Sequence, residues 1–340
     1  MSLGTSLATD LGAVTLRLFD PARDYEPLAE LIRDANGHDE TDWLPSAEAL
    51  RHDLAHAGTF RPSLDGLVAE SDGRLVGVAI ATWRQRGQKV VHQIDPLLVR
   101  PSHRRHGIGT TLLAWAETHC AERVRAGEAG PAGLPQELGA WGALGVPGAA
   151  ELASAHGFRA VRYGMEMRRP TSGPIPGAPL PPGLEVRPVR PDQHRRIWGA
   201  DVEAFQDHWE AALRTDADYE WWFSRPGLDT SLWQVAWDGD EVAGSILTTI
   251  NADENARLGA NRAWLDHISV RRPWRRRGLA AALIASTLRL LAHRGVEEAA
   301  LGVDAENLSG AVRLYERMGF VRYHSGVTYR KVLGQTGSSA

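Results

Sequence analysis

Apolar positions along the chain follow a period of two in some stretches and of three to four in others, and the order in which the two alternate occurs twice. In the first half, Val14 to Phe19 predicts a strand and Tyr25 to Arg33 a helix. Leu67 to Trp83 predicts a hairpin around the turn Ser71, Asp72 and Gly73. Asp95 to Val99 predicts a short strand, and after a glycine-bearing turn a helix runs from Ile108 to about Arg123. A Gly-, Ala- and Pro-rich loop, Arg125 to Pro135, leads to a strand over Leu138 to Ala143. A short helix over Ala149 to Ala155 closes at Gly157 and Phe158, and Ala160 to Met167 gives the last strand or strands.

Pro170 to Gly183 holds six prolines and three glycines in fourteen residues, which predicts a semi-extended linker. The pattern then restarts. Leu184 to Val189 predicts a strand; Gln234 to Trp237, the turn Asp238, Gly239 and Asp240, and Val242 to Ile250 predict the hairpin. Leu265 to Val270 is the next strand. Leu279, Leu283, Ile284, Thr287, Leu288 and Leu291 recur at helical spacing before a stop at Gly295. Ala299 to Val303, Leu308 to Arg317 and Val327 to Val332 predict strand, helix and strand, with Gly319 and Phe320 at the helix exit. The chain therefore predicts an internal duplication of one mixed α/β unit: a first domain over 12–169, the linker over 170–183 and a second domain over 184–333. Residues before about 12 predict a flexible lead-in.

Each unit places a basic, glycine-bearing turn between a strand and the helix that follows it: Arg104, Arg105, His106, Gly107, Ile108, Gly109 in the first, and Arg275, Arg276, Arg277, Gly278, Leu279, Ala280 in the second. A turn that opens a helix points free backbone N–H groups one way, and the helix dipole adds positive potential, so it suits a phosphate or pyrophosphate. Gly278 permits close backbone approach, and the small Ala280 keeps the path clear. A run of arginines is most often a solvated face; its repetition against glycine in both halves is what favours an anion site.

This R-x-x-G-x-G/A pattern after a strand ending in valine resembles the acetyl-CoA-binding motif of the GCN5-related N-acetyltransferase family, and the resemblance extends over nearly the whole chain as a tandem pair. It implies two such domains, each a mostly antiparallel twisted sheet flanked by helices. It assigns acetyl-CoA to Ile268, Ser269, Val270, Arg275, Arg276, Arg277, Gly278, Leu279, Ala280 and Ala281, and in the first domain to Leu98, Val99, Arg104, Arg105, His106, Gly107, Ile108, Gly109 and Thr110, with Arg275 on the pyrophosphate. The family's second signature, N-x-x-A-x-x-L-Y-x-x-x-G-F, has all its residues in the second domain as Asn307, Ala311, Leu314, Tyr315, Gly319 and Phe320, with one residue more between Asn and Ala. The first keeps Ala149, Leu152, Gly157 and Phe158, with Gly145 at the Asn position and Ala153 at the Tyr position.

The resemblance implies direct acetyl transfer from acetyl-CoA to an amine in the second domain, with a degenerate first domain. Tyr315 would protonate the departing thiolate, a tyrosine near ~10 facing a thiol near ~8.5; its plain alternative is a ring packed in a core. Asn307 would hold the pantetheine arm, cap the helix, or do both. Asp266 matches the position of a base in many relatives, and His267 has the more suitable intrinsic pKa. Strand alternation sends the two to opposite faces, so one of them is expected to face substrate. Aromatics from Trp198 to Trp233 are acceptor-wall or core candidates, and Asp201, Glu203 and Asp207 are either attractants for an ammonium group or solvent-facing charges.

Composition narrows the field further. Net charge is −4, so no global basic field points to nucleic acid. A single cysteine, Cys120, rules out a disulfide framework or a multi-cysteine metal site. No apolar run reaches membrane-spanning length, and no signal pattern opens the chain, which together predict a cytoplasmic protein without a membrane partner; a monomer or a homodimer is expected, with the choice left open. No G-x-x-x-x-G-K-[ST] or G-x-G-x-x-G occurs. The competing readings are a non-catalytic acyl-CoA sensor, and a mycothiol-synthase-like tandem enzyme, whose pattern is not evident in Trp264–Ser269 or around Phe205–Trp209.

Overall fold

The computed structural model describes residues 13–56, 59–306 and 310–333. They form two compact units, and each contains the predicted strand–helix succession.

In unit 1, β1 (Thr15–Leu18), β2 (Gly66–Ser71), β3 (Arg74–Arg86), β4 (Lys89–Val99) and β5 (Gln136–Ala143) lie in that order. All neighbours are antiparallel except β4 and β5. Helices α1 (Tyr25–His38) and α2 (Ala47–His56) precede the hairpin, α3 (Ile108–Arg125) follows the turn, and α4 (Ala149–Ala155) follows β5. Alternation sorts the hairpin: Leu67, Ala69, Ala79 and Ala81 pack with α3, whereas Val68, Val78 and Ile80 pack with α1 and α2. A sheet covered on both faces reads as a nearly continuous apolar run, as 75–81 does. Gly77 lets α3 approach, since a Cβ there would lie 2.9 Å from the Ile108 and Leu112 side chains.

Unit 2 repeats the plan with β7 (Glu185–Arg187), β8 (Gln234–Asp238), β9 (Glu241–Thr249), β10 (Arg262–Val270) and β11 (Glu298–Asp304). Helices α5 (His194–Phe205) and α6 (Asp216–Phe223) precede the hairpin, α8 (Leu279–His293) follows the turn, and α9 (Ala311–Arg317) follows β11. An added helix, α7 (Ala252–Leu258), joins β9 to β10; the Asn251 side chain accepts from Glu254 N at 3.0 Å and Gly259, at φ 61°, ends it. Leu279, Leu283, Ile284, Leu288 and Leu291 of α8 are each 1% exposed or less, and burial of such side chains contributes about 1.5–3 kcal/mol apiece. That anchorage holds the turn in front of α8.

The compact units do not follow the sequence boundaries. β6 (Arg159–Pro170) leaves unit 1 at Val161 and pairs antiparallel with β11, from Gly164 opposite Asp304 to Pro170 opposite Glu298. β12 (Val321–Val332) enters unit 1 at Val327, and Leu333 N bonds Gln136 O at 2.9 Å at the end of β5. Each unit thus takes its last strand partly from the other half of the sequence. The predicted linker begins inside β6, and Thr171 N is bonded to Glu297 O at 2.9 Å.

Candidate active site

The two basic turns fold alike. Arg105 and Arg276 have φ of 67° and 60°, and Gly107 and Gly278 have φ of 83° and 84°. Successive N–H groups in such a turn line a concavity for an anion. In unit 2 the first helical bond runs from Ala282 N to Gly278 O at 3.1 Å, which leaves the N–H groups of Leu279, Ala280 and Ala281 without helical acceptors. A Cβ at Gly278 would meet nothing within 4 Å, so the approach is open. The exposed Arg276 and Arg277 flank it.

Arg275 is placed differently from the expectation of a pyrophosphate contact. Its Nε donates to Val270 O at 2.9 Å, its Nη1 meets Asp207 at 2.6 Å and its Nη2 donates to Ala204 O at 3.2 Å. Arg104 repeats this, with Nε on Val99 O at 3.0 Å and both terminal nitrogens on Asp39 at 2.7 Å. Both arginines tie the turn to the helix region before the hairpin. The donors without such ties are the backbone groups and the two following side chains, and the half-open Arg275 keeps one N–H on each terminal nitrogen outside these bonds.

Behind each turn two parallel strands part. β10 pairs with β11 only from Arg262 to Trp264, and β4 pairs with β5 only from Val90 to Ile94. Beyond those points β11 stays with β6, so the edge of β10 over 265–270 faces an opening. A ligand with amide groups can add to such an edge as a strand does. Ile268, Ser269 and Val270 lie there and pair with β9 on the other side; the Ser269 hydroxyl is 3.1 Å from that of Ser245. Ile108 and Leu279 are 1% exposed, so they offer backbone rather than side chain.

The pairing of β10 with β9 shifts register between Leu265 and His267, which makes Asp266 the extra residue of a bulge. The bulge cancels the alternation, and the expectation that Asp266 and His267 face opposite ways fails. The His267 ring lies 4.5 Å from that of Trp222 and 5.0 Å from that of Phe205. Arg225 stacks 4.6 Å from the same Trp222 and stands 3.6 Å from the Asp266 carboxylate, which also accepts from Thr249 Oγ1 at 2.7 Å. Asp266 keeps 24% of its side-chain surface, yet the atoms packed around its carboxyl raise it above the ordinary range, against the lowering effect of Arg225. His267 Nδ1 sits 2.6 Å from Asp201 Oδ2 on α5.

Tyr315 is the fifth residue of α9 and Ala153 the fifth of α4, and both are 7% exposed. Burial pushes the Tyr315 hydroxyl up to about 12, so it keeps its proton at neutral pH. Its ring meets Phe320 edge-on at 6.3 Å. Asn307 lies outside the described residues. In unit 1 the counterpart of Asp266 is Asp95, pushed up to about 6 by burial, with Pro96 and no histidine after it.

The model of the acetyltransferase (GNAT) family matches residues 26–129 and 194–320, one stretch in each half of the sequence. The chain belongs to the acetyltransferase (GNAT) family. Among its relatives, a mycothiol acetyltransferase of Geodermatophilus obscurus is 31% identical over 92% of this chain and 95% of its own length. Another from Salinispora arenicola is 34% identical over 91% and 92%. A GCN5-related N-acetyltransferase from Sphaerobacter thermophilus superposes with a TM-score of 0.72 at 27% identity, covering 94% of this chain and 96% of that one. A tandem GNAT protein from the clavulanic acid biosynthesis pathway shares the fold, with a TM-score of 0.65 at 18% identity over 95% and 100%.

The acetyltransferase is thus a tandem acetyl-CoA-dependent N-acetyltransferase. No helix among its described residues is long and apolar enough to cross a membrane. Of the residues named from sequence, the structure gathers Asp266 and His267 around Trp222, sets Arg276 to Ala281 in one turn and turns Arg275 away. Sequence reasoning missed Asp201 as a partner of His267. The available signal was its position on α5, where Ile197, Trp198, Asp201 and Ala204 form the buried stripe and a carboxylate is out of place.

Proposed function

We propose that unit 2 moves an acetyl group directly to a primary amine of a small molecule or peptide, and that unit 1 does not turn over. The observation that carries this reading is that unit 2 joins an anion turn, an open strand edge, the pair Asp266 and His267 and a buried tyrosine after β11, whereas unit 1 has turn and edge with Ala153 in place of tyrosine. The N–H groups of Leu279 to Ala281, with Arg276 and Arg277, suit the pyrophosphate, and the 268–270 backbone suits the arm. Acetyl-CoA supplies the thioester carbonyl. An ammonium group is no nucleophile, so a base at the bulge takes its proton. Tyr315, made a weaker acid by burial, remains a hydrogen-bond donor for the sulfur as negative charge grows there. Release of CoA thiol with a panel of amines, with mass detection of the product, tests this; tight acetyl-CoA binding without release from any amine supports the sensor reading instead.

The identity of 31–35% to mycothiol acetyltransferases over at least nine tenths of the chain in three relatives favours a narrower second reading, in which the acceptor is the one those relatives acetylate. Placing that acceptor in the panel separates the two.

A further inference from the structure

Resting on the transfer reading above, we propose that Asp201 sets the His267 imidazole so that its Nε2 takes the proton of the acceptor amine, making His267 the base and Asp201 its positioning residue.

The argument starts from the cost of Asp201. It occupies the core-facing stripe of α5 and is 3% exposed. A carboxylate so placed is costly unless it is paired, and its Oδ1 has no partner among the described residues. Its one bond is to His267 Nδ1 at 2.6 Å. An ionised carboxylate only accepts, so Nδ1 is the donor and the proton of the neutral ring sits there. Nε2 then carries the lone pair. The ring cannot turn to lose that arrangement, because Trp222 and Phe205 hold it at 4.5 and 5.0 Å. The side chain keeps 14% of its surface, so the ring still has an opening.

Asp266 is less suited to the task. Its carboxylate is already engaged by Thr249 and faces the Arg225 guanidinium. The charged and titratable groups around His267 and its partner are Asp201 from α5, Arg225 from the loop after α6, Asp266 on its own strand and His208 from the loop after α5, which interacts with Asp201. Of these only Asp201 bonds the ring directly.

The proton balance closes. The ammonium proton first leaves through Nε2 to solvent; an N–H bond of the amine so freed then breaks toward Nε2 as its lone pair forms the C–N bond. The C–S electron pair leaves on sulfur, and sulfur ends as a thiol with a proton from Tyr315. The imidazolium, stabilised by Asp201, returns its proton to the tyrosine through solvent, so one proton passes in net from nitrogen to sulfur.

Nitrogen-15 spectra of the histidine rings of the free protein test the tautomer without any acceptor. At a pH where the ring is neutral, the expected result is protonation of His267 on Nδ1; protonation on Nε2 overturns the proposal alone. With an acceptor, Asp201→Asn should lower kcat by roughly 10²–10⁴-fold with acetyl-CoA affinity unchanged, since an amide can hold the wrong tautomer. The acidic limb of its pH profile should move to lower pH, and His267→Gln should remove that limb. Wild-type rates and limb in Asp201→Asn, or a limb that persists in His267→Gln and vanishes in Asp266→Asn, overturn the proposal and assign the base to Asp266. If the tautomer is as expected but no amine yields CoA, the transfer reading itself fails and the base role falls with it.

Discussion

Arg104 and Arg275 stand 171 residues apart and hold a similar posture, each with Nε on the carbonyl of the last strand residue and an aspartate before the hairpin on its guanidinium, which Arg104 meets with both terminal nitrogens and Arg275 with Nη1 alone. Their surroundings differ. Asp39 keeps 6% of its side-chain surface, and Asp207 keeps 33%. Asp39→Ala should destabilise by about 1.5–3 kcal/mol, the range for a hydrogen bond to a charged group out of water. Asp207→Ala should barely move the melting temperature, because exposed pairs contribute little. Denaturant unfolding of the two variants makes the comparison.

Tyr315→Phe keeps the ring in its packing against Phe320 and removes only the hydroxyl. Turnover should fall by roughly 10²–10⁴-fold at an unchanged acetyl-CoA dissociation constant. Wild-type turnover would take Tyr315 out of the mechanism.

Gly278→Asp puts a negative side chain beside the open N–H groups at a φ of 84°. Acetyl-CoA binding to unit 2 and amine acetylation should both be lost. Gly278→Ala is the control for the left-handed backbone, which costs roughly 1–2 kcal/mol and meets no neighbour within 4 Å. Gly107→Asp should spare most turnover. Titration calorimetry alongside the activity assay separates the outcomes; activity lost in folded Gly107→Asp and kept in Gly278→Asp would move the chemistry to unit 1.

Asp95 gives a pH signature in the other unit. Atoms crowded around its carboxyl raise it from 3.8 to about 6 in the fold, so folding favours its protonated form, although the residue keeps open surface and solvent makes the effect small. The stability it contributes is present below about 4 and is lost as pH rises through about 6. Asp95→Asn should therefore melt higher than the wild type at pH 8 and gain nothing at pH 3.5. An equal gain at both values would mean that burial does not act on the charge.

The repeat was legible because its carriers are local. Glycine in the turn, alternation in the hairpin and helical spacing after Gly278 all operate within a few residues, and β2, β3, α3, β8, β9 and α8 fall where the pattern places them. Helices α2, α5, α6 and α7 were given no bounds from sequence: α7 is seven residues long, inside a connection whose length alone says nothing of its form. The bulge at Asp266 depends on pairing with a strand 17 residues earlier. Asp201 lies 66 residues before His267, and no spacing rule joins them. The bonds of Arg275 were not legible because a guanidinium beside a glycine turn suits a phosphate as well as it suits the carbonyls and carboxylate that packing brings to it.

The crossing of β6 and β12 sets an order of manufacture. On the ribosome, residues up to 161 emerge first, yet the strand that completes their unit, beginning at Val327, emerges last. At 5–20 residues per second the nascent first unit waits roughly ten to thirty seconds for its final strand. The second unit begins with its strand β6, which is made before any of its other strands. A transcript cut after Gly326 would thus deprive the half made first, and the two copies of this duplication can be neither finished nor inherited separately.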